Sequence, residues 1–167
     1  MPSVARFNLA PVKSAQLSHP DEITLTPSGA VGDRRFLFLD PEGHRFSGEA
    51  KAGLLGIGAH HDPATDRLTL TFPDGSTVAG SATPTGTPFT VALYDHDASV
   101  RSVEGPLAEE VSAHIGHEAH LGRVEGDRRA GGLPPVSLIS LASIADLAAR
   151  GRVETLSAEV IAEQASG

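Results

Sequence analysis

Two short polar segments contain the side chains best suited to hold an anion. The segment Pro-Val-Lys-Ser ends in Lys13 and Ser14, and the segment Gly-Asp-Arg-Arg-Phe contains Arg34. An ammonium, a hydroxyl and a planar guanidinium beside strand ends could together bind an anionic cofactor. Alternatively, Lys13 and Arg34 are solvated turn residues, and Asp33 pairs with Arg35. Spacing alone favours the alternative, because surface ion pairs near turns are common and nearly neutral in energy.

A third candidate lies where a predicted strand, 136–139, runs into a predicted helix, 141–150. Ser140 and Ser143 stand at this junction. The start of a helix attracts anions through its unpaired N–H groups and its dipole, so a ligand could bind there. The alternative is that one of the two serines simply caps the helix, which is the commoner role of serine at this position. Taken in isolation, this junction favours capping.

Histidines at 114, 117 and 120, with Glu118 among them, resemble the spacing of metal ligands. Gly116 should end the helix that carries His114, so the other two histidines should lie on the following strand rather than on the same helical face. The sequence therefore predicts structural or solvated histidines and no metal site.

Composition narrows the function further. The chain has 167 residues and no cysteine, which excludes disulfides, thiolate metal sites and cysteine nucleophiles. Thirteen Lys and Arg against 21 Asp and Glu give a net charge of −8, which opposes binding to nucleic acid or anionic lipid. No apolar run approaches the roughly 18 residues of a membrane span, and the N-terminus has no signal-peptide pattern. We expect a soluble, cytoplasmic protein without a nucleic-acid or membrane partner.

The elements that must position these residues are short. Up to about Val103, apolar and β-branched runs alternate with Gly and Pro turns, which is typical of a barrel or sandwich. Helical spacing first appears at 106–115, where Leu107, Val111 and Ile115 share a face before Gly116. The predicted strands of the first part are 4–9, 23–26, 35–40, 54–59, 67–72 and 89–94.

Three motifs, in this order and at these separations, resemble the MOSC family, the molybdenum-cofactor sulfurase C-terminal type. They are PVKS, GDRRFLFLDPEGHRFSG and PPVSLISLASIADLAARG. The resemblance implies a mainly β fold: a MOSC N-terminal-type β-barrel over residues 1–124, a linker over 125–133, and the start of a MOSC domain over 134–167. One to three short helices are expected.

The resemblance also implies a function. Members of the family bind the phosphorylated pterin of the molybdenum cofactor, molybdopterin, and some act as molybdenum oxidoreductases or as sulfur-transfer partners of pyridoxal-phosphate enzymes. Lys13 and Ser14 match the family's cofactor-contacting Lys-Ser pair, Arg34 matches the Arg of its Asp-Arg motif, and Ser143 matches the Ser before its helix. The match raises the anion-site hypothesis above the solvated-turn alternative.

Two departures from the family pattern limit what the resemblance implies. Glu49 stands near a position where many relatives have Arg, and an acid there would disfavour an anion. Relatives also continue to a cysteine that ligates molybdenum, which this sequence lacks. We therefore expect an incomplete MOSC protein, without assigned catalytic residues or metal ligands. The alternative is a non-catalytic β-barrel module that binds a small anion or a partner protein, such as a chain that completes the barrel or a sulfur-transfer enzyme.

Overall fold

The structure is a computed structural model that describes residues 3–93, 96–126, 129–131 and 136–150. The chain divides into two compact units, Met1–Pro135 and Val136–Gly167, which are considered separately. The elements of the first unit are β1 (Leu25–Thr26), β2 (Gly29–Ala30), β3 (Phe36–Leu39), α1 (Gly48–Leu55), β4 (Gly58–Asp62), β5 (Arg67–Thr71), β6 (Thr77–Ser81), β7 (Thr85–Ala92), β8 (Asp97–Val103), α2 (Pro106–Ile115) and β9 (His120–Val124).

The first unit is mainly β, as predicted. Its larger sheet has the antiparallel order β3-β9-β8-β7, and its second sheet is the antiparallel meander β4-β5-β6. The pair β1-β2 forms a small third sheet. Among the described residues, the hydrogen-bonded strands stay within these three sheets and do not close into one continuous ladder.

Strand β3 is buried on both faces because its side chains alternate between two apolar clusters. Phe36 and Phe38 belong to a cluster that also contains residues of β5, β9, α1 and α2. Leu37 and Leu39 belong to a second cluster, together with residues of β7, β8 and β9. This strand therefore joins the two parts of the core.

Several sequence-based element predictions need correction. The predicted strand 54–59 is wrong at its start, because helix α1 runs through Leu55 and β4 begins only at Gly58. Ala50 and Leu54, four residues apart on α1, are both buried, and their burial stabilises a helix that lacks a strong periodic pattern. The predicted strand 4–9 reduces to one bridge between Leu9 and Ser18.

Other predictions are confirmed. Helix α2 covers the predicted residues, and Gly116 caps it in the left-handed conformation with φ 70°. His120 opens β9, as expected for a histidine beyond that cap, whereas His117, expected on the same strand, lies before it. Two strands, β6 and β8, were not predicted: β6 contains Ala79 and Gly80, while β8 mixes Val100 and Val103 with small and polar residues.

In the second unit, α3 (Leu141–Arg150) lies at the predicted position. The predicted strand 136–139 is wrong, because these residues form no strand in the described structure. Leu138 is 89 % exposed, so the apolar run lacks the burial that an apolar strand needs. The possible helix beyond Arg150 lies outside the described residues.

A carboxylate ties the two larger sheets together. Asp66, in the turn between β4 and β5, accepts hydrogen bonds from Arg123 of β9 at 2.7 and 2.9 Å. It also lies 3.0 Å from the His61 ring nitrogen and accepts a bond from Thr83 at 3.1 Å. Burial alone would raise the pKa of Asp66, but the hydrogen bonds from His61 and Arg123 outweigh it, so the pKa lies below its ordinary value.

We predict that Asp66→Asn lowers the free energy of unfolding by about 1–2 kcal/mol at pH 7, a modest loss because the side chain is a third exposed and solvent screens its ion pair. Because the pKa of Asp66 is depressed in the fold, its ionised carboxylate stabilises the folded state. This stabilisation is fully present above the unfolded pKa of about 3.9 and is lost as the pH falls through the folded pKa. The difference in the free energy of unfolding between wild type and Asp66→Asn, measured with urea, should therefore become smaller in acid. The exposed Asp21→Asn serves as control, and a gap that is constant with pH would contradict the assignment.

Close packing at Gly122 yields a second stability prediction. A Cβ there would lie 2.6 Å from Val100 Cγ1, whereas a Cβ at Gly58 of β4 would have no neighbour closer than 3.5 Å. Gly122→Ala should destabilise the protein by about 1–3 kcal/mol through overpacking, and Gly58→Ala should be nearly neutral. Thermal unfolding of the two variants tests the difference, and equal melting temperatures would show that the core around β9 relaxes freely.

Candidate functional site

Lys13 is held at the edge of β3 that faces away from β9. Phe36 pairs with Arg123 of β9 on one side and with Val12, in parallel, on the other. The Lys13 amide donates to the Phe36 carbonyl at 2.8 Å, and the Phe36 amide donates to the Pro11 carbonyl at 3.0 Å. The segment before Lys13 thus covers one end of this outer edge.

Arg45 covers the other end of the same edge. Leu39 pairs with His120 of β9 on one side and with Arg45 on the other. A turn makes this return possible, because the Asp40 amide donates to the His44 carbonyl at 2.9 Å and Gly43 adopts φ 83°. Lys13 and Arg45 are therefore brought to opposite ends of one strand edge by backbone pairing.

A pocket lies between these two ends. Four polar side chains line it: Lys13, Ser14, Arg45 and Lys51, the last contributed by α1. Its apolar lining residues are Leu37, Phe38, Phe46 and Leu54. Ser14 has φ 63°, in the left-handed region that is unusual for a residue other than glycine. Such backbone conformations concentrate at functional sites.

Burial and surrounding charge act together on Lys13. Desolvation, followed by the positive charges of Arg34, Arg45, Lys51 and Arg129, lowers the pKa of its amine from 10.5 to about 8. A lysine amine is depressed in this way when neighbouring cations make its own positive charge unfavourable. The pocket is therefore strongly cationic, although the whole chain carries a net charge of −8.

Arg34 belongs to this group of cations, but it does not line the pocket. Its guanidinium donates to Asp33 Oδ2 at 2.7 Å, and that of Arg129 donates to the same oxygen at 3.3 Å. Asp33 is only 6 % exposed, and its other oxygen accepts the Ala10 amide at 3.1 Å. The pairing of Asp33 with Arg35 considered from the sequence is wrong, because Arg35 reaches the Gly126 carbonyl instead.

Ser143 lies in the second unit, so its placement relative to Lys13 and Arg34 is not described. Its amide donates to Ser140 Oγ at 3.0 Å, and the two hydroxyls are 2.8 Å apart. Ser140 therefore caps α3, as the capping alternative predicted, and Ser143 is the third residue of the capped turn. The cofactor role of Ser143 stays a prediction.

Three cations near Lys13 were missed in the sequence. Lys51 lies on the unpredicted helix α1, and Arg129 lies in the segment 125–133 that was predicted to be a linker. Residues 129–131 lie within the first unit, where Ala130 is buried and its amide donates to the Arg34 carbonyl at 2.7 Å. Arg45 stands inside the second motif, so that motif was the available signal. The side chain of Glu49, expected to disfavour an anion, lies outside the described part.

A wider groove adjoins the pocket and shares Arg45 and Phe46 with it. Its remaining lining residues are Asp40, Ser47, Ala50 and His117. Across the part of the chain that the structure describes, no three histidine or acidic side chains come together as a metal-binding group. His114 packs against the Phe72 ring at 5.1 Å, and His120 lies 3.5 Å from Glu118.

Comparison with known protein families identifies the chain. A family model described as the MOSC N-terminal beta barrel domain matches residues 1–115, more than two thirds of the sequence. The chain belongs to the MOSC family. Lys13, Ser14, Arg34 and Arg45 all lie within this MOSC match. No curated protein and no solved structure matches the sequence. Within the described ranges of this MOSC protein, no helix is long and apolar enough to cross a membrane.

We predict that Asp33→Asn destabilises the protein by about 2 kcal/mol, because it removes the buried negative charge shared by Arg34 and Arg129. Urea unfolding at pH 7 measures the effect. Asp97→Asn, at an exposed position of β8, is the matched control and should unfold at the wild-type urea concentration. If Asp33→Asn and Asp97→Asn unfold at the same urea concentration, Asp33 does not hold Arg34 and Arg129 in place.

Proposed function

We propose that this chain binds the molybdenum cofactor through the anionic phosphate of its pterin, in the pocket lined by Lys13, Ser14, Arg45 and Lys51. The observation that carries the proposal is the convergence of Lys13, Arg45 and Lys51 on one pocket, which Ser14 also lines. The pKa of Lys13, lowered to about 8, is consistent with this crowding of cations. A bound anion would relieve the repulsion among these groups. Arg34 would add to the positive field from its position on Asp33, and the cofactor contact of Ser143 stays a prediction.

The donor set fits a phosphate. Lysine and arginine side chains and a serine hydroxyl donate hydrogen bonds, and a phosphate oxygen accepts them. When bound, the cofactor supplies molybdenum redox or sulfur-transfer chemistry, while these residues hold its charged end. The sequence contains no cysteine, so the proposal assigns no thiolate ligand and no catalytic residue to this chain.

A non-catalytic anion-binding module is the second candidate, favoured by the absence of cysteine from the sequence. It would use the same pocket for a small phosphate-bearing ligand without molybdenum. A sulfur-transfer enzyme or a chain that completes the barrel would then be the partner. These partners, the domain limits and the cytoplasmic location stay predictions.

The pocket predicts a pH-dependent affinity for anions. A bound anion raises the pKa of Lys13, so binding takes up a proton, and affinity should fall as pH rises through about 8. We expect pyrophosphate to bind more tightly at pH 7 than at pH 9.5. Lys13→Ala and Lys51→Ala should each weaken binding at pH 7 by about ten-fold, which corresponds to one lost charge-assisted hydrogen bond.

Calorimetric titration with pyrophosphate measures these affinities, and Arg67→Ala, at an exposed position of β5, is the matched control that should bind as wild type does. Pterin and molybdenum retained by the purified protein separate the two candidates. Pterin together with molybdenum supports the cofactor, whereas pyrophosphate binding without retained pterin supports the anion-binding module. Equal affinities in all four proteins would exclude this pocket as the anion site.

A further inference from the structure

Lysine is rare in this chain, and both lysines line the same pocket. Of the 13 cationic residues, only Lys13 and Lys51 are lysines, and the other 11 are arginines. Arginine supplies a permanent positive charge, whereas lysine can lose its proton and become a nucleophile. The two side chains able to do amine chemistry are therefore concentrated at one site.

The surroundings of Lys13 are those of a reactive amine. It is partly buried, and the described cations that lower its pKa are Arg34 before β3, Arg45 after β3, Lys51 on α1 and Arg129 after β9. The nearby carboxylate of Asp33 is bonded to two of these arginines and to a backbone amide. Because the pKa of Lys13 is lowered to about 8, a larger fraction of this amine is neutral in weakly alkaline solution than of an ordinary lysine. Desolvation beside other cations is a known way to activate a lysine nucleophile.

The side chains around Lys13 suit an electrophile that carries an anion, and the space for it lies in the adjoining groove of about 420 Å³, because the pocket itself has only about 10 Å³. Arg45 and Lys51 line the pocket from elements other than the one that carries Lys13, so they can hold a phosphate while the Lys13 amine reacts elsewhere on the same molecule. The wider groove beyond Arg45 and Phe46 provides space for the remainder of a small ligand.

We propose that Lys13 is a nucleophilic amine that condenses with small phosphorylated aldehydes, whose phosphate is held by Arg45 and Lys51. The lone pair of the neutral Nζ forms a bond to the carbonyl carbon, and the carbonyl π electrons move to its oxygen. That oxygen leaves as water with the two Nζ hydrogens, and an imine remains; nothing is oxidised or reduced. The inference uses the pocket of the proposed function but does not require the molybdenum cofactor.

Reductive trapping tests the proposal. The full chain is incubated at pH 8 with pyridoxal 5′-phosphate and then with borohydride, and peptide mapping locates the label. The competing amines are Lys51 and the α-amino group, whose ordinary pKa of about 8 makes it an internal reference of similar basicity. We expect Lys13 to be labelled about ten-fold faster than the α-amino group, a preference that a second charge-assisted contact can supply.

Pyridoxal without the phosphate is the matched probe. The preference for Lys13 should disappear with it, because basicity alone does not distinguish the two amines. Lys13→Arg should abolish labelling in the pocket while keeping the charge, and Lys51→Ala should reduce the advantage of the phosphorylated probe. The same preference with both probes, or a label mainly on Lys51, would overturn the proposal.

Inorganic phosphate separates this inference from the proposed function. If pyrophosphate binds in calorimetry and phosphate slows trapping at Lys13, both proposals are supported. If pyrophosphate binds but Lys13 is not trapped, the nucleophile proposal fails and the anion site stands. If Lys13 is trapped without any advantage from the phosphate group and pyrophosphate does not bind, both proposals fail.

Discussion

Asp33 accepts hydrogen bonds from three segments that are far apart in the sequence: the Ala10 amide, the Arg34 side chain and the Arg129 side chain. Backbone bonds run beside these contacts, since Arg34 donates to the Ala10 carbonyl and Ala130 donates to the Arg34 carbonyl. One buried carboxylate thus holds the N-terminal segment, the start of β3 and the segment after β9 at the same place. The position of Lys13, three residues after Ala10, depends on this arrangement.

Lys13 differs from its arginine neighbours in that it can respond to the surrounding positive charge by releasing its proton. Two of the neighbouring cations, Arg34 and Arg129, are bonded to Asp33, and arginine keeps its proton in any case. Between pH 8 and 10.5 the unfolded chain holds a proton that folded Lys13 has released, so this group makes stability rise with pH in that window. Below pH 8 the fold carries the full cost of the charged amine, a cost that a bound anion offsets.

The sequence predicted the elements whose signals are local and missed those that depend on distant contacts. Strands β3 and β5 and helix α2 carry their own periodicity or capping residues, and they lie where expected. Helix α1 is short and weakly patterned, and its burial comes from neighbours that no local rule reveals. The same distinction holds for the site. A local motif identified Lys13, whereas Lys51 and Arg129 come near it only through tertiary packing and were missed.

A purely structural role for the cations at the edge of β3 has to be weighed, because charged side chains commonly protect exposed strand edges from pairing with other chains. Protective charges of this kind work best when they are solvated, and solvation leaves a lysine pKa close to its ordinary value. Lys13 is instead partly buried beside Arg45 and other cations, and its pKa is lowered to about 8. Edge protection does not require that cost, whereas the proposed anion-binding role accounts for it.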